Sequence, residues 1–130
     1  MKIKLSSLMV TDQEKALQFY TSVLGFVKKL DIPMGEYRWL TVVSPESADG
    51  PDQMELVLEP LGFPPARTYQ QALREAGIPS TMFFVDDIAA EHARLEKLGV
   101  QFKTAPMQAG PVQIAIFDDT CGNWIQIVQM

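Results

Sequence analysis

One structural plan occurs twice in this chain, and that duplication limits the folds open to it. Lys2 to Phe26 reads KIKLSSLMVTDQEKALQFYTSVLGF, and Ser80 to Phe102 reads STMFFVDDIAAEHARLEKLGVQF. In both, an apolar strand ends in Val (Val10, Val85) and an Asp follows two residues on (Asp12, Asp87). A helical segment then runs to Leu-Gly and an apolar residue, Leu24-Gly25-Phe26 and Leu98-Gly99-Val100. Chance rarely repeats order and spacing together, so the chain reads as a duplicated strand–helix–strand module. Neither copy covers its own apolar faces, and the two are expected to pack into one domain.

Local signals extend each copy. Thr11-Asp12 offers a helix cap, with Glu14 placed for a capping box. Ala16, Phe19, Tyr20, Val23 and Leu24 form one apolar stripe at helical spacing, and Gly25 supplies the left-handed stop. A strand from Phe26 is expected to give way to the loop DIPMGE. Tyr37 to Val43 (YRWLTVV) is β-branched and aromatic, and Met54 to Leu58 (MELVL) returns after the turn stretch SPESADGPDQ. Pro60 to Pro65 breaks the chain before a short helix over Ala66 to Ala76. The second copy continues with strands near Gln101, at Val112 to Phe117 and at Trp124 to Gln129, the last two joined by the turn DDTCGN. Each half therefore reads β-α-β-β-β, predicting an α+β fold. Its sheet is curved, mixed and mainly antiparallel, with helices on the outer face and a groove on the inner one. The expected layout is a single domain over 1–130, with module one at about 1–60, a linker with its short helix at 61–77, and module two at 78–130.

Charge and cysteine usage remove several function classes. A net charge of −5 argues against nucleic acid, which requires a clustered basic face. Nothing approaches the ~18 apolar residues of a membrane span, and Met1-Lys2-Ile3-Lys4 leads into alternation, not a signal sequence. The single cysteine, Cys121, fits a reducing cytoplasm and has acidic neighbours that do not activate a thiol.

Strand alternation separates a helix-facing parity from a groove parity. The helix-facing set is predicted as Leu8, Val10, Leu40, Val42, Met54, Leu56, Leu58, Phe83, Val85, Ile114, Ile116, Ile125 and Ile127. The groove set is mixed: Leu5, Ser7 and Met9; Trp39 and Thr41; Glu55, Val57 and Glu59; Ser80, Met82 and Phe84; Gln113, Ala115 and Phe117; Trp124, Gln126 and Val128. An apolar wall with two tryptophans and a few polar groups has the composition of a small-molecule pocket. The other use of such a surface is a second packing layer against another subunit. Glu55, midway along an apolar strand, favours the pocket, since a carboxylate there is costly unless wet or paired.

The stretches VTDQEKALQFYTSVLGF, MELVLEP, VDDIAAEHARLEKLGV and DDTCGNWIQIVQ resemble, in that order, the vicinal oxygen chelate superfamily, the glyoxalase, bleomycin-resistance and extradiol dioxygenase group. The last stretch resembles that family's Asp-Pro-Asp-Gly-Asn hairpin and final strand. The resemblance implies paired βαβββ modules, often a homodimer, in a bacterial-type cytoplasmic protein. It also implies four metal-ligand positions in catalytic members, which here carry Leu5, Glu55, Ser80 and Gln126. One carboxylate beside an amide, a hydroxyl and a leucine falls short of the roughly three good ligands a catalytic site requires. The expectation is therefore no metal and no cofactor, and His92, on the second helix, lies on the wrong side to help.

The resulting expectation is metal-independent binding of a small, partly aromatic or cationic molecule in the groove. The residues expected to carry it are Leu5, Ser7, Trp39, Thr41, Glu55, Glu59, Ser80, Met82, Gln113, Phe117, Trp124 and Gln126. The alternative is a glyoxalase-like lyase or isomerase with Glu55 as general base, with or without a weakly held divalent metal. A third use is structural, the strands serving dimer contacts alone.

Overall fold

The protein, seen as a computed structural model, is described over residues 1–50 and 53–130. It is an α+β fold of two similar modules, each with one four-stranded mixed sheet. Its two compact units are Met1–Ala66 and Arg67–Met130. Among the described residues, no helix is long and apolar enough to cross a membrane.

In the first unit β1 (Leu5–Val10), α1 (Gln13–Gln18), β2 (Val27–Met34), β3 (Tyr37–Val43) and β4 (Glu55–Pro60) follow in order. The sheet order is β1-β4-β3-β2, with β1 and β4 parallel and the other pairs antiparallel. Asp12 caps α1, its Oδ1 accepting from Lys15 N at 3.0 Å, a contact worth about 1 kcal/mol. Glu14 does not complete a capping box; its Oε2 instead accepts from Arg38 Nη1 at 2.6 Å. The last turns, Phe19–Val23, are π-helical and end at Gly25, whose φ of 89° only glycine adopts without strain. Ala16, Leu17, Phe19 and Tyr20 are buried on this helix, which packs on β3 and β4, and Leu8, Val10, Leu40, Val42 and Leu58 are buried on the strands.

The predicted loop DIPMGE is mostly strand. β2 runs on to Met34 and turns through Gly35-Glu36 into β3. Pro33 does not break it because β2 is an edge strand, where a missing N–H costs no ladder bond. Met54, expected to face the helix, precedes β4 and is 50% exposed. The turn stretch SPESADGPDQ forms a 3₁₀ turn at Pro45–Ser47 and is closed by buried Gln53, which donates to Ala48 O at 2.9 Å and to Gly50 O. Its residues 51 and 52 lie outside the described ones.

Helix α2 (Pro64–Ala76) starts two residues earlier than expected, proline being well suited to a first helical turn. In the second unit β5 (Thr81–Phe84), α3 (Ile88–Lys97), β6 (Phe102–Ala109), β7 (Val112–Asp118) and β8 (Trp124–Gln129) repeat the plan, in sheet order β5-β8-β7-β6. Asp87 caps α3 as Asp12 caps α1, accepting from Ala90 N at 3.0 Å. β6 is again an edge strand carrying a proline, Pro106, where the register shifts between Thr104 and Met107. His92 lies edge-on to Phe102 at 4.5 Å, and Phe102 packs on Phe117 at 5.6 Å.

That aromatic chain corrects the predicted orientation of β7. Cross-strand partners share a face of the sheet, and Ala115 pairs with Ile127 while Phe117 pairs with Ile125. Gln113 pairs with Gln129, whose Oε1 accepts from Ile88 N on α3 at 2.8 Å. Gln113, Ala115 and Phe117 therefore face α3, and Ile114 and Ile116 face away from it. Phe117 is fully buried and belongs to the core.

Candidate functional site

On the first sheet the helix-free face is built as expected from alternation. Leu5 lies directly opposite Glu55, Ser7 opposite Val57, and Val57 opposite Thr41. The buried Thr41 hydroxyl accepts from Leu30 N at 3.2 Å, across the β2 bulge, and donates to Glu55 Oε1 at 2.7 Å. One hydroxyl can serve both contacts because it carries one proton and two lone pairs. Near the other end of β4, Ser7 Oγ donates to Glu59 Oε1 at 3.4 Å. Trp39, two residues before Thr41, is 37% exposed on the same face.

The register adds residues that sequence reasoning missed. Ile32 pairs with Trp39 and Met34 with Tyr37, placing four large, partly exposed side chains on this face. The alternation Leu30, Ile32, Met34 carries this signal, but the Asp, Pro and Gly of DIPMGE give the stretch the composition of a loop.

Charges on this sheet are sorted by face. Arg38 donates to Asp31 from Nε at 2.9 Å and from Nη2 at 2.7 Å, and also meets Glu14; Lys28 stands 3.7 Å from Asp31. The register places Arg38, Asp31 and Lys28 with Leu40 and Val42, on the α1 side. The Arg38 guanidinium holds the Asp31 and Glu14 carboxyls below their usual range, chiefly by hydrogen bonding, and its own pKa is raised in return. Of the residues whose register places them on the opposite face, the charged ones are Glu55 and Glu59.

On the second sheet, Met82 pairs with Gln126, Phe84 with Val128 and Trp124 with Asp118, all on the face away from α3. Met82 and Phe84 are exposed, and Trp124 and Gln126 are half-buried. Gln113 and Phe117 do not join them, for the reason given above. Ser80 precedes β5; its backbone N donates to Trp124 O and its hydroxyl to Asn123 Oδ1 at 2.9 Å. Asn123 is the centre of the β7–β8 hairpin. Buried Asp119 accepts from Cys121 N at 2.7 Å, Asn123 N at 3.0 Å and Asn123 Nδ2 at 2.8 Å. Gln70 of α2 donates to Cys121 O and Asn123 Oδ1 at 3.2 and 3.1 Å. Gly122 is required here: its φ is +98°, and a Cβ would lie 2.6 Å from the Gln70 carboxamide.

The four positions matching the family's metal ligands do not form a donor set. Leu5 offers no lone pair, Glu55 Oε1 is engaged by Thr41, the Ser80 hydroxyl by Asn123, and Gln126 is a neutral amide facing Met82. Among the described residues, no three His, Cys, Asp or Glu side chains come together. A catalytic divalent ion held by about three imidazole or carboxylate ligands does not fit these residues.

Similarity to known proteins extends this picture. The chain is 54% identical over 129 residues to the uncharacterized protein YurT of Bacillus subtilis, covering 99% of each. The crystal structure of UcmS2 superposes with a TM-score of 0.82 at 30% identity, over 100% of this chain and 98% of that one. TnmS3, an antibiotic binding protein from Streptomyces sp. CB03234, superposes with a TM-score of 0.74 at 32% identity, over 99% of this chain and 95% of that one. The family model that matches spans residues 2–127, and the chain belongs to the Glyoxalase/Bleomycin resistance protein/Dioxygenase superfamily.

Proposed function

We propose that the protein binds a small organic molecule, aromatic in part and carrying a cationic group, without the help of a metal. The observation that carries this reading is the sorting of charge on the first sheet. Its arginine and the lysine beside Asp31 are paired on the helix side, while Glu55 and Glu59 are the charged residues that the register places on the opposite face, beside Ser7, Thr41 and large apolar and aromatic side chains. Trp39 supplies a flat apolar contact there, and the two carboxylates suit an ammonium or amidinium group. Likeness to TnmS3, an antibiotic binding protein, supports the binding of a small organic molecule. On the second sheet Met82, Trp124 and Gln126 are the residues we assign to ligand contact.

Thermal-shift screening with aromatic amines and matched neutral aromatics tests the proposal. A ligand at 100 times its Kd stabilises the native state by about 2.7 kcal/mol, a readily measured shift. Trp39→Ala and Glu55→Gln should each weaken a bound amine. Variants that bind every identified ligand as tightly as the parent protein would end the proposal.

A further inference from the structure

Trp124 is not a freely presented ring. The Arg74 guanidinium lies 3.7 Å from the indole centroid, and indole Nε1 donates to Arg74 O at 3.1 Å. A single residue of α2 thus covers one face of the ring and fixes its tilt. Arg74 is itself anchored, Nη1 donating to Asp118 Oδ1 at 2.9 Å and to Asn123 O at 3.2 Å. Asp118 is the cross-strand partner of Trp124, and Gln70, one turn earlier on α2, grips the same hairpin. A second cation, Lys103 Nζ, stands 6.0 Å from the indole centroid.

We propose that Arg74 is a positioning residue that makes Trp124 a contact for an anionic or electron-rich aromatic group and not for a cation. The inference rests on the small-molecule reading above and assigns the chemistry of whatever part of the ligand meets Trp124. An indole face attracts a cation through its quadrupole, and Arg74 already uses that attraction. A second cation on the opposite face would lie roughly 7 Å from the guanidinium, twice the observed spacing. With Asp118 offsetting part of the repulsion, the penalty is on the order of tenfold in affinity. An electron-rich ring meets the reverse: an indole polarised by Arg74, with Lys103 nearby.

Trp39→Phe leaves Trp124 as the single tryptophan, so its fluorescence reports this contact alone. The probes are 2-naphthoate and 2-naphthyltrimethylammonium, matched in ring and opposite in charge. We expect 2-naphthoate to quench Trp124 with a Kd at least tenfold lower than the ammonium probe. Arg74→Met should reduce that preference below threefold, and Arg74→Lys, which keeps the charge, should restore it. Equal or stronger quenching by the ammonium probe overturns the assignment, as does a preference unchanged in Arg74→Met or lost equally in Arg74→Lys. If the ammonium probe raises the Tm of the parent protein and quenches Trp39 in Trp124→Phe while Trp124 responds to neither probe, the binding reading stands and the role of Arg74 falls. If neither probe alters fluorescence or Tm in any of these proteins, both fall together.

Discussion

Gln13 clasps the backbone of Arg38 from both sides: its Oε1 accepts from Arg38 N at 3.0 Å and its Nε2 donates to Arg38 O at 2.7 Å. The same Nε2 donates to Leu58 O at 2.9 Å. The ladder between β3 and β4 pairs Thr41 with Val57 and Val42 with Leu56, and the carboxamide of Gln13 joins the two strands beyond it. This side chain therefore sets the spacing of the strands that carry Trp39 and Glu59.

Removing that clasp should be expensive. Gln13→Ala leaves one backbone donor and two carbonyls short of partners, and should lower stability by about 1–3 kcal/mol. Urea denaturation followed by circular dichroism measures it. Gln13→Glu, which keeps the acceptor and loses both donor contacts, should cost nearly as much. A neutral result for both would show that the strands hold their spacing unaided.

The Arg38 ion pairs predict a pH dependence with a definite sign. Hydrogen bonding to Arg38 lowers the folded-state pKa of Asp31 and of Glu14. Their contribution is present above the unfolded-state values, ordinarily about 4, and is lost as pH falls through the lowered folded values. The urea midpoint of the parent protein should accordingly drop on acidification below about pH 5. Arg38→Met should show a shallower drop over that window, with most of its deficit already visible at neutral pH.

Phe117 tests the corrected face of β7. As a fully buried ring between Phe102 and the α3 side, it should cost about 3–5 kcal/mol when cut to Ala. Phe117→Leu should fold and leave the affinity of any identified ligand within twofold, whereas Met82→Ala should fold readily and weaken it. The opposite pattern would return Phe117 to the binding face.

The hairpin network gives a sharper stability test. Gly122→Ala must place a Cβ against Gln70 at a φ of +98° and should destabilise by about 1–3 kcal/mol from backbone strain alone. Pairing it with Gln70→Ala should recover part of the loss, a coupling that a double-mutant cycle reads directly. Strict additivity would mean that the two groups do not meet.

Much of this architecture is legible from local signals. The duplicated Asp caps and Leu-Gly stops are short-range features, and both caps form as read. The face of β4 is legible because Glu55 and Glu59 mark one parity against Leu56 and Leu58. β7 is not, since QIAIF is apolar on both parities and only pairing with β8 decides which side faces α3. The full length of β2 is not legible either, since Pro33 signals a break wherever the strand's place in the sheet is unknown. The contacts that position the candidate site join residues far apart in sequence, among them Gln13 with Leu58 and Arg74 with Trp124. No local pattern encodes such meetings. A four-residue separation puts Gln70 and Arg74 on one side of α2, but nothing in that spacing says which strand they meet.

Pro33 and Pro106 each stand in an outermost strand, β2 and β6, and each of those strands also has an irregular register. A neighbouring chain approaching either border finds a gap in the row of amide donors and a ribbon bent out of line. Growth of the sheets by strand addition is thus discouraged at these two margins. A second copy that docks there must do so through side chains, leaving the backbone ladder to end with its own molecule.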